Sequence, residues 1–180
     1  MTTHEIVMSG FGGQGVMLMG QLMTYAGMLE NKYVSWIPSY GPEMRGGTAN
    51  CSVIISDEPV GAPIVSEPTT VVAMNLPSLD KFEPALQAGG NLIINSSLID
   101  KGSSRKDIKT ILVPSNDIAN ELGNAKVANM VVLGAIIAAT KAVSQESVLK
   151  AFTKMFAKKP ELLAINEKAI KRGAALVEGK

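Results

Sequence analysis

The segment that most constrains this fold lies near the start of the chain. Glu5–Ser9 (EIVMS) is a short apolar run that leads directly into Gly10-Phe11-Gly12-Gly13-Gln14-Gly15, and then into Val16–Glu30, which reads as a helix. A short apolar run ended by glycine reads as a buried strand. Tyr33–Ile37 (YVSWI) is β-branched and aromatic, and reads as a second strand. Strand, glycine turn, helix and strand make a βαβ unit, whose strands run parallel through a right-handed crossover. The chain therefore has a Rossmann-like start. Such a turn sets main-chain N–H groups at a helix N-terminus, where the dipole and the unbonded amides favour an anion. The spacing is G-x-G-G-x-G, one residue short of the dinucleotide fingerprint. The second strand also lacks the acid that would hold a ribose. NAD-dependent dehydrogenase chemistry is not expected. Phosphate binding and a purely structural tight turn both remain open at this point.

Further along, Thr48–Ser56, Thr70–Met74, Asn91–Asn95 and Thr110–Val113 read as strands. Ser78 is expected to cap a helix that ends before Gly89-Gly90. Ser115 or Asn116 opens a short helix ending at Gly123, and Val127–Val143 is a core helix. Ser144 caps a helix whose Val148, Leu149, Phe152, Met155 and Phe156 form one stripe. Pro160 opens the last helix at a tolerated first-turn position. Alternating strands and helices imply α/β, a three-layer α/β/α sandwich. The strand at Thr48 follows a loop with no helix, so the sheet is expected to be mixed, mostly parallel. No repeat or linker divides residues 1–180, which read as one domain.

Composition excludes several function classes. Hydrophobic residues are 46% of the chain and the formal net charge is +1, which is incompatible with intrinsic disorder. One cysteine is too few for a disulfide framework or for a cluster needing about four thiolates. The lone cysteine, Cys51, reads as a small buried hydrophobe. The lone histidine, His4, is placed in a frayed terminus, so no metal site and no catalytic residue is assigned. The longest apolar run, Met130–Ala139, would rise about 15 Å as a helix, half of a bilayer core. No membrane association or export signal is expected, and the location is cytoplasmic. Residues 1–100 carry a net −6 and residues 101–180 a net +7. The basic part lacks interleaved aromatics, so nucleic acid is not an expected partner. Of ten methionines, those at 17, 19, 23 and 28 lie in the first helix and are assigned to core or subunit-interface packing.

The second loop, Pro38-Ser39-Tyr40-Gly41-Pro42-Glu43-Met44-Arg45-Gly46-Gly47, is denser in special residues. Arg45 is the only arginine among the first hundred residues. Tyr40 offers a flat face with a hydroxyl, and Glu43 can orient the guanidinium. An internal Glu43–Arg45 ion pair is one reading. A ligand or partner contact, beside the glycine turn at the strand ends, is the reading taken here.

The glycine turn, the Ser39–Gly47 loop, Val53–Val60, the Asn129–Gly134 run and the closing Asn166, Ala169 and Gly173 together resemble the gamma subunit of 2-oxoacid:ferredoxin oxidoreductases. The resemblance covers essentially the whole chain. It implies an accessory subunit, inactive alone, of a multisubunit enzyme of anaerobic metabolism. That enzyme decarboxylates a 2-oxoacid on thiamine diphosphate, passes electrons through iron–sulfur clusters to ferredoxin, and forms acyl-coenzyme A. Thiamine diphosphate, Mg and the clusters are expected on partner alpha, beta and ferredoxin-like subunits. From its apolar content and few aromatics, the isolated chain is expected to form a homo-oligomer or to need its partners for solubility. Tyr40 and Met44 look more like the 2-oxoglutarate or branched-chain 2-oxoacid groups than the pyruvate group, which more often reads Phe-Gly-Pro-Glu-Arg-Arg-Gly. The resemblance also implies a coenzyme A surface. There Gly12, Gly13, Gln14 and Gly15 supply amides, Arg45 a bidentate phosphate donor, Tyr40 a stacking face and Ser39 a hydroxyl. Docking of this surface onto the catalytic subunit is the alternative. A stand-alone nucleotide-binding or regulatory module is the competing reading of the whole protein.

Overall fold

The computed structural model describes residues 2–40 and 48–179. The strands are β1 (Thr3–Phe11), β2 (Tyr33–Tyr40), β3 (Thr48–Ser56), β4 (Thr70–Ala73), β5 (Asn91–Asn95) and β6 (Lys109–Val113). The helices are α1 (Val16–Leu29), α2 (Leu76–Phe82), α3 (Ser115–Glu121), α4 (Ala128–Thr140), α5 (Gln145–Met155) and α6 (Leu162–Glu178). The strands form one sheet in the order β2-β3-β1-β4-β5-β6. β1, β4, β5 and β6 are parallel neighbours, while β3 is antiparallel to both β1 and β2. The expected mixed α/β sheet is what the chain forms. β1 and β2 do run the same way, but they are not neighbours. The hairpin partner β3 lies between them, because an antiparallel strand reached through a short loop can pair on both of its edges.

One sheet face packs Ile6, Met8, Cys51, Val53, Val72 and Ile93 against α1, α3, α4, α5 and α6. α4 is buried from Ala128 through Ile137, as its uncharged sequence requires. The helical pair α4–α6 is joined through two glycines: a Cβ added at Gly134 would overlap the Ile170 carbonyl, and one at Gly173 the Val131 carbonyl. Among the described residues, α2 is the one α-helix on the opposite face, over Val71, Ala73, Leu92 and Ile94. The second helical layer of the sandwich is therefore thin.

Several local expectations are corrected. His4 is not frayed; it sits in β1 opposite Ile55, and burial together with the nearby Lys32 holds its pKa below the usual histidine value. Ser78 is not the cap of α2. Asn75 is, accepting from the Ser78 N–H at 2.9 Å, while the Ser78 hydroxyl accepts from Ser9 Oγ at 2.9 Å. α2 ends at Phe82 and a 3-10 turn follows over Glu83–Ala85. α6 begins at Leu162, two residues after Pro160. The strand expected to stop at Ile37 continues through Pro38, Ser39 and Tyr40. Pro38 is tolerated there because β2 is an edge strand. Ser144 caps α5 as expected, accepting from the Ser147 N–H at 3.1 Å. Cys51 is fully buried, and that burial pushes its thiol up to about 12, with the Trp36 indole opposing only in part. Among the described residues, no helix is long and apolar enough to cross a membrane.

Candidate functional site

From β1 the chain leaves through α1 on one face of the sheet, and from β4 through α2 on the other. These adjacent parallel strands therefore part at their C-terminal ends, the point where open α/β sheets form a crevice. The glycine turn fills that point. Gly13 (φ 95°) and Gly15 (φ 75°) take left-handed backbone, which glycine adopts without strain. Gly15 is the N-cap of α1 and supplies no side chain to its amides.

Gln14 holds the turn in place. Its N–H donates to Phe11 O at 3.1 Å, closing the turn. Its side-chain oxygen accepts from the Phe11 N–H at 2.6 Å and from Asn75 Nδ2 at 3.5 Å, and its Nε2 donates to Met74 O at 3.2 Å. The end of β4 is thereby tied to the turn. On the other side, Asn129 Nδ2 donates to Gly15 O at 3.4 Å. Among the described residues, the N–H groups of Gly13 and Gly15 have no hydrogen-bond partner, while Gly12 is opposite residue 47, outside the described residues.

Two clefts open on either side of this turn. The smaller, about 170 Å³, is lined by Gly13, Gln14, Gly15, Met74, Asn116, Lys126, Ala128 and Asn129. α1 begins at it without a side-chain cap or an acidic residue in its first turn. α4 begins there as the continuation of a 3-10 turn over Ala125–Val127 whose N-cap, Asn124, accepts from the Lys126 N–H at 3.0 Å. Elsewhere in the chain Asn75 and Ser144 cap α2 and α5, while α3 and α6 also begin without a side-chain cap. Unbonded amides, two helix dipoles and the Lys126 ammonium all favour negative charge in this cleft, and no carboxylate lines it. The larger cleft, about 410 Å³, is bounded by Phe11, Gly12, Gly13, Met17, Leu18, Tyr40 and Thr48 and is mainly apolar.

The structure thus gathers Gly12, Gly13, Gln14, Gly15 and Tyr40. Ser39 faces the other side of β2 by strand alternation and lines neither cleft. Arg45, with the rest of 41–47, lies outside the described residues. Lys126, Asn129 and Asn116 were missed from sequence. Asn129 lies 114 residues beyond Gly15, in the first turn of the most apolar helix, with Lys126 just before it. Among the described residues there is no group of three or more histidine, cysteine or acidic side chains arranged to hold a metal ion.

Comparison with known proteins places these features in context. Residues 5–176 match the family described as pyruvate ferredoxin/flavodoxin oxidoreductase. The chain is 39% identical over 171 residues to ketoisovalerate oxidoreductase subunit VorA of Methanothermobacter marburgensis, covering 94% of this chain and 36% of that one. It thus spans about a third of the length of that relative. It is 38% identical over 150 residues to 2-oxoglutarate synthase subunit KorC of Methanocaldococcus jannaschii, covering 82% and 80%. The crystal structure of a keto/oxoacid ferredoxin oxidoreductase gamma subunit from Geobacter sulfurreducens superimposes with a TM-score of 0.83 at 33% identity, covering 98% and 99%.

Proposed function

Because the chain belongs to the pyruvate ferredoxin/flavodoxin oxidoreductase family, we propose that it serves as the gamma subunit of a 2-oxoacid:ferredoxin oxidoreductase and holds coenzyme A for acyl transfer. The observation that carries the ligand assignment is the smaller cleft, where the uncapped start of α1, the start of α4 and Lys126 converge on the glycine turn. Coenzyme A needs donors for its phosphates and an extended slot for the rest of the molecule. The amides of Gly12, Gly13 and Gly15, with Lys126 and the Asn129 amide, supply the donors. Gln14 acts as the strut that keeps those amides aligned. Tyr40, across the larger cleft, supplies a flat face for adenine. Arg45 and Ser39 are assigned to the same surface on the strength of their sequence positions, Arg45 as a bidentate phosphate donor.

The residues present do not fit the other groups such an enzyme uses. The single thiol is buried with its pKa raised, and neither cleft offers carboxylates for Mg and a diphosphate. Thiamine diphosphate, Mg and iron–sulfur clusters therefore belong on alpha, beta and ferredoxin-like partner subunits, with ferredoxin as electron acceptor and the complex in the cytoplasm. Relatives named for ketoisovalerate, for 2-oxoglutarate and for pyruvate/ketoisovalerate all match, so the branched-chain or 2-oxoglutarate reading rests on Tyr40 and Met44 themselves. A stand-alone regulatory module is disfavoured by membership of this family.

The test is steady-state kinetics of the assembled complex. Lys126→Ala and Arg45→Ala are each expected to raise KM for coenzyme A roughly 10- to 100-fold, the worth of one charge-assisted hydrogen bond. Decarboxylation in a single turnover without coenzyme A should be unchanged. Variants that fail to co-purify with their partners would convert this surface from a ligand site into a docking site.

A further inference from the structure

Among the described residues the sheet ends at β2, and the phase of its hydrogen bonds can be read from its neighbours. The Asp57 N–H donates to Thr2 O, so the odd-numbered residues of β3 bond to β1 and the even-numbered ones to β2. Tyr33, Ser35, Ile37 and Ser39 therefore bond to β3, and Val34, Trp36, Pro38 and Tyr40 turn their main-chain groups to the open edge. Free edges are ordinarily guarded by charge or by proline, and Pro38 guards this one towards its C-terminal end. Here Ile6–Leu29 and Tyr33–Tyr40 contain no charged residue at all. The two charges between them are turned elsewhere: Glu30 accepts from the Ser144 N–H at 2.7 Å, and Lys32 pairs with Asp57 at 3.7 Å. Tyr33 and Ile37 are exposed below the edge, and Tyr25, Met28 and Leu29 are exposed on α1, which packs over β2 and β3.

We propose that a second copy of this chain pairs with this edge, β2 antiparallel to β2, about a twofold axis through Ser35. An uncharged face meets itself without the like-charge contacts that penalise self-pairing, which selects an identical copy as occupant. With the axis at Ser35, Val34 of each copy faces Trp36 of the other, and both hydrogen bonds of each pair form. Moving the axis to Trp36 would set Pro38, which has no N–H, against Val34 and leave the Val34 carbonyl without a donor. In the proposed register Tyr33 lies directly across from Ile37 on the open face, an aromatic–β-branched pair at the closer spacing. About half the area of each of the five exposed large side chains amounts to roughly 500 Å² per copy. With the main chain of β2 added, this comes within reach of the ~800 Å² per partner of a stable interface.

The full chain, purified alone, is measured by sedimentation equilibrium and light scattering across micromolar concentrations. A dimer is expected. Ile37→Lys, which restores an edge charge, should raise its dissociation constant at least about 100-fold. Ser35→Cys should cross-link through a disulfide between copies on mild oxidation, because facing residues at this spacing have Cβ atoms about 4.5–5.5 Å apart; Cys51 is buried and gives no background. Far-UV circular dichroism confirms that each variant is folded, and should Ile37→Lys unfold, Ser35→Cys decides. A chain that stays monomeric throughout, or a dimer that Ser35→Cys does not cross-link, overturns the proposal.

Discussion

Replacing Gly173 with alanine tests how α4 and α6 are held together. The added Cβ would overlap the Val131 carbonyl, and the reciprocal change at Gly134 would overlap the Ile170 carbonyl. Both obstacles are main-chain oxygens inside helices, so no rotamer change can clear them. The helices must separate by about an ångström over a contact that buries Val131, Ile170 and Ala174. A gap of ~0.5–1 Å forfeits a quarter to a half of each dispersion contact. Overpacking of this kind costs about 1–3 kcal/mol and occasionally more, with the rigid obstacle pushing towards the upper end. Against it stands the gain of about 1 kcal/mol from alanine over glycine in a helix. The net expectation is a loss of about 2 kcal/mol, or a Tm lower by roughly 4–8 °C in a chain of this size. Gly27→Ala is the internal control, because its Cβ would meet Val34 Cγ1 at 2.7 Å, a side-chain end that can move. It should be near neutral. The double variant Gly134→Ala, Gly173→Ala should cost less than the sum of the two, since one separation accommodates both methyls. Urea unfolding followed by circular dichroism, at a fixed protein concentration, reads all four. Wild-type stability in Gly173→Ala, or equal losses at Gly27 and Gly173, would refute the reasoning.

Gly15→Ala should be destabilising and should also lower coenzyme A affinity, because left-handed backbone and the Asn129 side chain both oppose a Cβ there; differential scanning fluorimetry with and without coenzyme A separates the two effects. Cys51, with its thiol pushed up to about 12, should resist thiol reagents at pH 8 until the chain unfolds. The same shift means the unfolded chain ionises first, so this residue's contribution is complete below about pH 9 and declines as pH rises towards 12. His4 has the opposite sign: its lowered pKa makes the unfolded chain take up the proton first, so stability falls as pH drops through the usual histidine value of about 6.5. His4→Gln should flatten that slope in urea titrations run at several pH values.

Features that depend on neighbouring residues are legible in the amino-acid order. The strand–glycine–helix start, the uncharged core helix, the Ser144 cap and the antiparallel entry of β3 all follow from short-range pattern and turn chemistry. The glycine turn and Tyr40 could be nominated because their residue types are unusual where they stand. Contacts between segments far apart in the chain arise only once the fold is packed. Local signals did not place β3 between β1 and β2, since a crossover specifies direction but not which strand fills the gap. His4 is tied down by Ile55, fifty-one residues away, and Asn75 rather than Ser78 caps α2 because Ser78 is drawn to Ser9. The cationic side of the site, Lys126 and Asn129, reaches the glycine turn only because α4 packs against the sheet with its N-terminus at the end of β1. A chain position records a side chain's chemistry, whereas the closing of long loops, driven by burial of the apolar faces they carry, decides which chemistries meet.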